Sequence, residues 1–337
     1  MDISSKSFMV HAIDLKKKVV FKGEIKPTRS GIRQMIKALG RETKLVVFEA
    51  GNQLKWVALT IKKIPEVDLH VVHPNEIKWI HQSSAKTDKI DARKLSQLAR
   101  GDLLPPKVHI VKGKVRQIRE LVSARHTLQS KRVALINSLR GCLKQEGYRL
   151  PQKFFGRKDW RQQLERMRIG KAQKLILKSY MESIESLHKA ELELTQEIVQ
   201  IENADIKRLR TIPGIGELSS RVIVGAVDRV DRFTGKKQIA KYGALAPRIY
   251  QSGGVIHLGR ISRDGRHEVR RVLLQCAHMV ARMKSYEAKP LRQFFERIKK
   301  RCGKKIAIVA LARKLLVVVY GVLKAKTVYN PAVLLGG

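Results

Sequence analysis

The chain has 337 residues, with 70 lysines and arginines against 29 acids and a formal net charge of +41. That length allows two or three domains, and that charge calls for a polyanionic partner while saying nothing of fold. Three scattered cysteines (Cys142, Cys276, Cys302) with no Cys-x-x-Cys exclude a zinc ribbon or a disulfide framework and fit a reducing cytoplasm.

The first hundred residues alternate strand and helix. Phe8 to Ile13 reads as a strand, and Lys18 to Ile25 as its hairpin partner. Thr28 to Leu39 reads as an amphipathic helix capped by Thr28 or Ser30. Leu45 to Phe48 is a short apolar strand that ends on Glu49. Leu54 to Ile64 is a second helix, and Leu69 to Val72 a strand closed by Pro74. A further helix carries Asp88 and Asp91 and runs to Arg100. This order predicts a mixed sheet with helices packed on it. Leu104-Pro105-Pro106 marks a boundary.

Two long helical stretches follow, Lys112 to Glu146 and Ala172 to Asp205, separated by Pro151 and Gly156. The second carries a heptad (Leu177, Ile184, Ile198; Tyr180, Leu187, Leu194, Ile201) broken by Glu191. That is the seam of an antiparallel hairpin or of a dimer coiled coil. Between Glu182 and Asp205 stand seven acids and one lysine, so this arm would be repelled by a phosphate backbone and is expected to space or join protomers. Deleting it is expected to lower oligomeric state more than affinity for the polyanion.

Residues 206–337 hold 29 basic and 7 acidic residues. Ile212-Pro213-Gly214-Ile215-Gly216 before an apolar helix resembles a helix-hairpin-helix turn. Gly214 and Gly216 there would let peptide N–H groups approach a phosphate, although a tight turn between packed helices has the same sequence. Beyond it Ser252 stands before Gly253-Gly254, with Arg248, Arg260, Arg263 and Arg266 near it in sequence as phosphate grips. A serine hydroxyl needs a base, a metal or a clamped phosphate to act as a nucleophile. Ser262 is its rival, and a purely structural serine the plainer reading. The segment Lys305 to Leu323 is apolar but interrupted by Arg313 and Lys314, and it is read as a buried helix rather than a membrane span.

Four carboxylates, Asp2, Glu49, Asp88 and Asp91, carry the chemistry. Residues three apart share a helix face, which suits Asp88 and Asp91 to cations about 3.5–4 Å apart, the spacing of two-metal phosphoryl transfer. An acid closing an apolar strand, as Glu49 does, is costly unless paired or metal-bound. The plainer alternative has Asp88 capping its helix and Asp91 pairing with Arg93 or Lys94. His70-x-x-His73 has no third ligand near it and reads as a loop.

Taken in order, these strings, together with Leu135-Ile136-Asn137-Ser138-Leu139-Arg140-Gly141 and Leu258-Gly259-Arg260-Ile261-Ser262-Arg263-Asp264-Gly265, resemble the DEDD transposases of bacterial insertion sequences. These are RuvC-like, bridge-RNA-guided serine recombinases. The resemblance implies an α/β plus all-α chain in three parts. Residues 1–107 would form an RNase H-like metal-binding domain, 108–205 a helical coiled-coil region, and 206–337 a mainly helical transposase domain. It further implies Mg²⁺ at Asp2, Glu49, Asp88 and Asp91, with Ser252 forming a phosphoserine link to DNA. A structured guide RNA and a homo-oligomer (dimer or tetramer) are implied as partners. Location in the bacterial cytoplasm, on the nucleoid, follows from the DNA substrate and from an N-terminus without an apolar signal region. The rival activities are a RuvC-like junction nuclease that uses water, and a non-enzymatic nucleic-acid-binding protein. Family members place more residues before the first acid, so an upstream extension is expected to raise stability and activity.

Overall fold

The computed structural model describes residues 1–40, 42–77, 87–252, 254–262 and 264–335. The chain divides into two units, Met1–Ile110 and Val111–Gly337.

The first unit opens with an antiparallel meander, β1 (Asp2–Ile3), β2 (Phe8–Ile13) and β3 (Val19–Ile25), with Asp2 opposite Met9. Asp14 makes the β2–β3 turn, because its Oδ1 accepts from the peptide N–H groups of Lys16 (2.9 Å) and Lys18 (2.8 Å). Helix α1 (Arg29–Ala38) is capped by Thr28, which accepts from Gly31 N. Strands β4 (Lys44–Glu49) and β5 (Val67–Val72) pair in parallel across the crossover helix α2 (Leu54–Ile61). Met1 donates its amino N–H to Val47 O at 2.7 Å, which places β1 beside β4. Helix α3 (Asp88–Arg100) follows.

Strand alternation sorts the side chains to two faces. Phe8, Val10, Val46 and Phe48 join residues of α1 and α2 in one core, whereas Val47 and Val72 pack with Leu95 and Leu98 of α3 in another. Helices therefore cover both faces of the strands.

The second unit is mainly helical: α4 (Gly113–Gln145), α5 (Trp160–Glu165), α6 (Lys171–Gln200), α7 (Ala204–Arg210), α8 (Glu217–Val227) and α9 (Lys236–Tyr242). A hairpin of β6 (Pro247–Ser252) and β7 (Val255–Ile261) interrupts it before α10 (His267–Val280), α11 (Lys289–Cys302) and α12 (Lys304–Ala325). By length and composition α12 could cross a membrane. Its apolar residues instead form the middle of this unit's core, with Leu311, Leu315 and Val319 fully buried among residues of α4, α8 and α10.

The expected second helix is shorter than Ala172 to Asp205. It stops at Gln200, Ile201 turns extended, and Asn203 accepts from Ile206 N (2.8 Å) to cap a new helix. The heptad seam of α6 packs against α4 of the same chain, so the hairpin reading of that seam is the one realised. Glu191, the polar exception in the heptad, is 4 % exposed and pairs with Arg125 (2.9 Å) and Arg132 (3.0 Å) of α4.

An acid in an apolar seam is tolerated only with its partners in place. Glu191→Ala is expected to cost about 2–4 kcal/mol in urea unfolding, since it leaves two partly buried arginines facing each other. Glu191→Leu should cost less, because the leucine fills the seam while the arginines extend to water.

Candidate active site

The acids meet on the face of the strands that α3 covers. Met1 and Ile3 point into the core on the α1/α2 side, so Asp2 between them faces α3. Glu49 has the parity of Val47, which packs on α3. Asp88 and Asp91 occupy the first turn of α3, where Thr87 caps the helix and the dipole favours negative charge. Asp91 is 5 % exposed. Burial, then the nearby carboxylates of Asp88 and Asp91, hold the Asp2 carboxyl above its usual range. The four acids therefore come from three separate elements to one face, and at least three of them feel one another electrostatically.

This is an open anionic patch. Among the described residues no three carboxylate, imidazole or thiolate groups are gathered closely enough to chelate one ion as they stand. The donor set still fits a hard divalent cation, which favours carboxylate oxygens and would relieve the repulsion that raises Asp2.

Sequence reading passed over His11. It has the parity of Met9, opposite Asp2, and its Nδ1 lies 2.7 Å from Ser96 Oγ on α3. Burial, then Lys22 and Arg93, lower its pKa. A polar residue on an apolar strand, two positions from Asp2's register partner, was the available signal. His70 lies within β5, opposite Val47, rather than in the expected loop, and only His73 follows the strand; their rings are engaged with backbone at Pro105 O and Asn75 N.

Ser252 is the last residue of β6 and pairs with Val255 across a two-residue turn in which Gly254 has φ +81°. The glycine loop is thus the tip of a β-hairpin. Arg248 and Arg260 are exposed on its two strands. Arg263 lies outside the described residues. Arg266 is half-buried and already bonded, donating to the Tyr242 hydroxyl and to Glu268 (both 3.3 Å). Ser262, the rival serine, is buried and donates to Asp264 Oδ2 at 2.7 Å while accepting from Asp264 N at 3.0 Å, which makes it the pin of a turn.

The Gly214 turn joins α7 to α8. A Cβ on Gly214, whose φ is +79°, would stand 2.6 Å from Val280 Cγ2 and 2.9 Å from Cys276 O, so this glycine is required by the packing of α10. Gly216 is exposed, and its N–H donates to Ser219 Oγ at 2.8 Å. Of the two, Gly216 is the exposed one, with its N–H already engaged by Ser219.

Two family models match the chain. One for the DEDD transposases of the IS110 group covers residues 1–147, and one described as the IS116/IS110/IS902 transposase family covers residues 206–293. An acid-bearing β/α unit of the DEDD type, followed by this mainly helical unit, defines a transposase, an enzyme that cuts and transfers DNA, and implies an RNase H-like fold and a divalent metal. Among curated relatives, a probable family 20 transposase of Pseudomonas aeruginosa is 24 % identical over 98 % of both chains. The transposase for insertion sequence element IS1111A of Coxiella burnetii is also 24 % identical, over 98 % of this chain and 90 % of its own. A pilin gene-inverting protein of Moraxella bovis is 36 % identical over 34 % of this chain and 36 % of its own. The chain belongs to the IS110/IS116/IS902 transposase family.

Proposed function

We propose that this transposase cuts and rejoins DNA through a transient phosphoserine link at Ser252, with Mg²⁺ held by Asp2, Glu49, Asp88 and Asp91. The observation that carries the reading is the convergence of those four acids, from β1, β4 and α3, on one face of the first unit. When bound, the cation neutralises charge on the phosphoryl oxygens and polarises the ester.

Ser252 Oγ gives up its proton and bonds to phosphorus, while the 3′-oxygen leaves and takes up a proton. The DNA phosphate is then esterified to the protein and a 3′-hydroxyl is free. A 3′-hydroxyl of the new partner strand reverses the step and releases the serine. Because one ester replaces another, no nucleotide cofactor is consumed. Exposed Arg248 and Arg260, at the other end of the hairpin strands that lead to Ser252, supply charge for the DNA backbone.

Residues 1–107 on this reading carry the metal site, 108–205 the arm and 206–337 the nucleophile. A structured RNA selects the DNA sites by base pairing, leaving the protein to read backbone and shape. A homo-oligomer brings the acids of one protomer to the serine of another, and exposed Leu175, Ile176 and Leu192 on α6 give it apolar surface to use. The enzyme acts on DNA in the bacterial cytoplasm.

The test separates this chemistry from that of a water-using nuclease. Full-length protein is incubated with element-end DNA, the element's noncoding RNA and Mg²⁺, then run on a denaturing gel. A protein–DNA adduct whose modified peptide contains Ser252 is expected. Cleavage that leaves only free DNA ends would establish the hydrolase instead.

A further inference from the structure

The arm built from α4, α5 and α6 carries its charge in two blocks. Residues 149–178 hold ten lysines and arginines against two acids, and residues 182–205 hold seven acids against one lysine. Several acids of the second block are taken up internally: Glu191 by Arg125 and Arg132, Glu202 by Arg210 and Arg221, and Asp205 by Arg208. The basic block lies at the far end of the arm, where α4 gives way to α6.

That tip is a built platform. It has its own small core, in which Leu139, Leu143, Phe154, Leu164 and Leu177 are all but fully buried. Arg140 fixes the loop above it by donating to three successive carbonyls, Leu150 (3.0 Å), Pro151 (2.8 Å) and Gln152 (3.2 Å). Its guanidinium also lies over the Phe155 ring, 5.3 Å from the centroid. Beside this loop is an open groove of about 840 Å³, lined by Asn137, Lys153, Phe155, Gly156 and Arg157. Lys153 and Arg157 are exposed, and a Cβ on Gly156 would meet nothing within 4 Å.

Cations, an aromatic ring and a side-chain amide around a concave surface are the groups that hold a phosphodiester and stack a base. The concavity admits an unpaired base, whereas a duplex would meet only the cations. The acidic block next to it has one lysine among its seven acids, so the cations that attract a strand are concentrated at the tip. We propose that the arm tip is a binding site for a single strand of nucleic acid, separate from the acid face and from the serine hairpin. The proposal rests on the transposase reading only in taking nucleic acid as the ligand.

The test is equilibrium binding by the full chain, without divalent cation, of a short labelled single-stranded RNA, a DNA of the same sequence and the corresponding duplex, across a salt series. Lack of strand cutting therefore has no bearing on its outcome. The paired change Lys153→Glu with Arg157→Glu is expected to weaken single-strand binding about tenfold, and to lower the slope of log affinity against log salt by about 1.4. Lys16→Glu with Lys18→Glu, an equal charge change in the first unit, should do less. Gly156→Leu, which fills the groove without altering charge, should weaken single strands and spare the duplex. A greater loss for RNA than for DNA assigns the strand to RNA, and equal losses assign it to either; both uphold the site. A Lys153/Arg157 variant that loses no more than the Lys16/Lys18 control, or a Gly156→Leu protein that loses duplex and single strand equally, would overturn it. Circular dichroism and melting curves confirm that the variants are folded.

Discussion

Replacing Ser252 with alanine is expected to eliminate the covalent protein–DNA adduct and to reduce strand joining by about 10³-fold or more, the scale seen when an enzyme loses its nucleophile. DNA affinity should hardly change, because the substitution removes no charge and leaves the β6–β7 register untouched. Ser262→Ala is the matched control. Its hydroxyl pins the turn at Asp264, so that variant should keep the adduct and lose a little stability. A Ser252→Ala protein that still formed the adduct would move the nucleophile elsewhere, and an inactive Ser262→Ala protein of normal stability would point to where. Denaturing gels with labelled element ends, read beside melting curves, decide between them.

Asp91→Asn is expected to lower cleavage by about 10²–10³-fold, comparable to the loss of one preorganised electrostatic contact. Unlike most buried substitutions, it should leave the metal-free protein at least as stable. Asp2 is pushed upward by burial, then by Asp88 and Asp91. An acid with a raised folded-state pKa contributes stability that is complete below its unfolded value of 3.8 and is lost as pH rises through the folded value. The metal-free protein therefore loses this contribution as the solution is brought toward neutrality. A divalent cation bound at the patch offsets that loss, so Mg²⁺ should raise the melting temperature more at neutral pH than in mild acid. Asp91→Asn should narrow the difference. An Mg²⁺ shift independent of pH and unchanged in the variant would remove the metal from this face.

Much of the first unit was legible in the sequence, because its strands are short, apolar and closed by turn chemistry. Alternation alone places Asp2 between Met1 and Ile3 and puts Glu49 in step with Val47. The partner that makes Glu191 tolerable was not legible, since Arg125 and Arg132 lie on another helix and nothing local marks them. The end of α6 could have been read from Asn203, a capping residue ahead of Ala204-Asp205. The β6–β7 hairpin could also have been read, because Gly253-Gly254 between apolar runs is a two-residue hairpin signal. Gly214 shows the opposite limit: the same glycine turn serves a ligand or a neighbouring helix, and only the approach of Val280 and Cys276 shows which helix needs it.

The central place of α12 has a kinetic consequence. Its residues complete a core that begins with Ile118 on α4 and includes Ile223 on α8 and Leu273 on α10, so the apolar interior those helices share stays unfinished until the late part of the chain has emerged. Contacts of such long sequence separation form slowly, and helices waiting for them expose surface that invites aggregation. Nascent protein thus passes through a vulnerable interval before its second unit is assembled, and the transposase completes that part of its structure last.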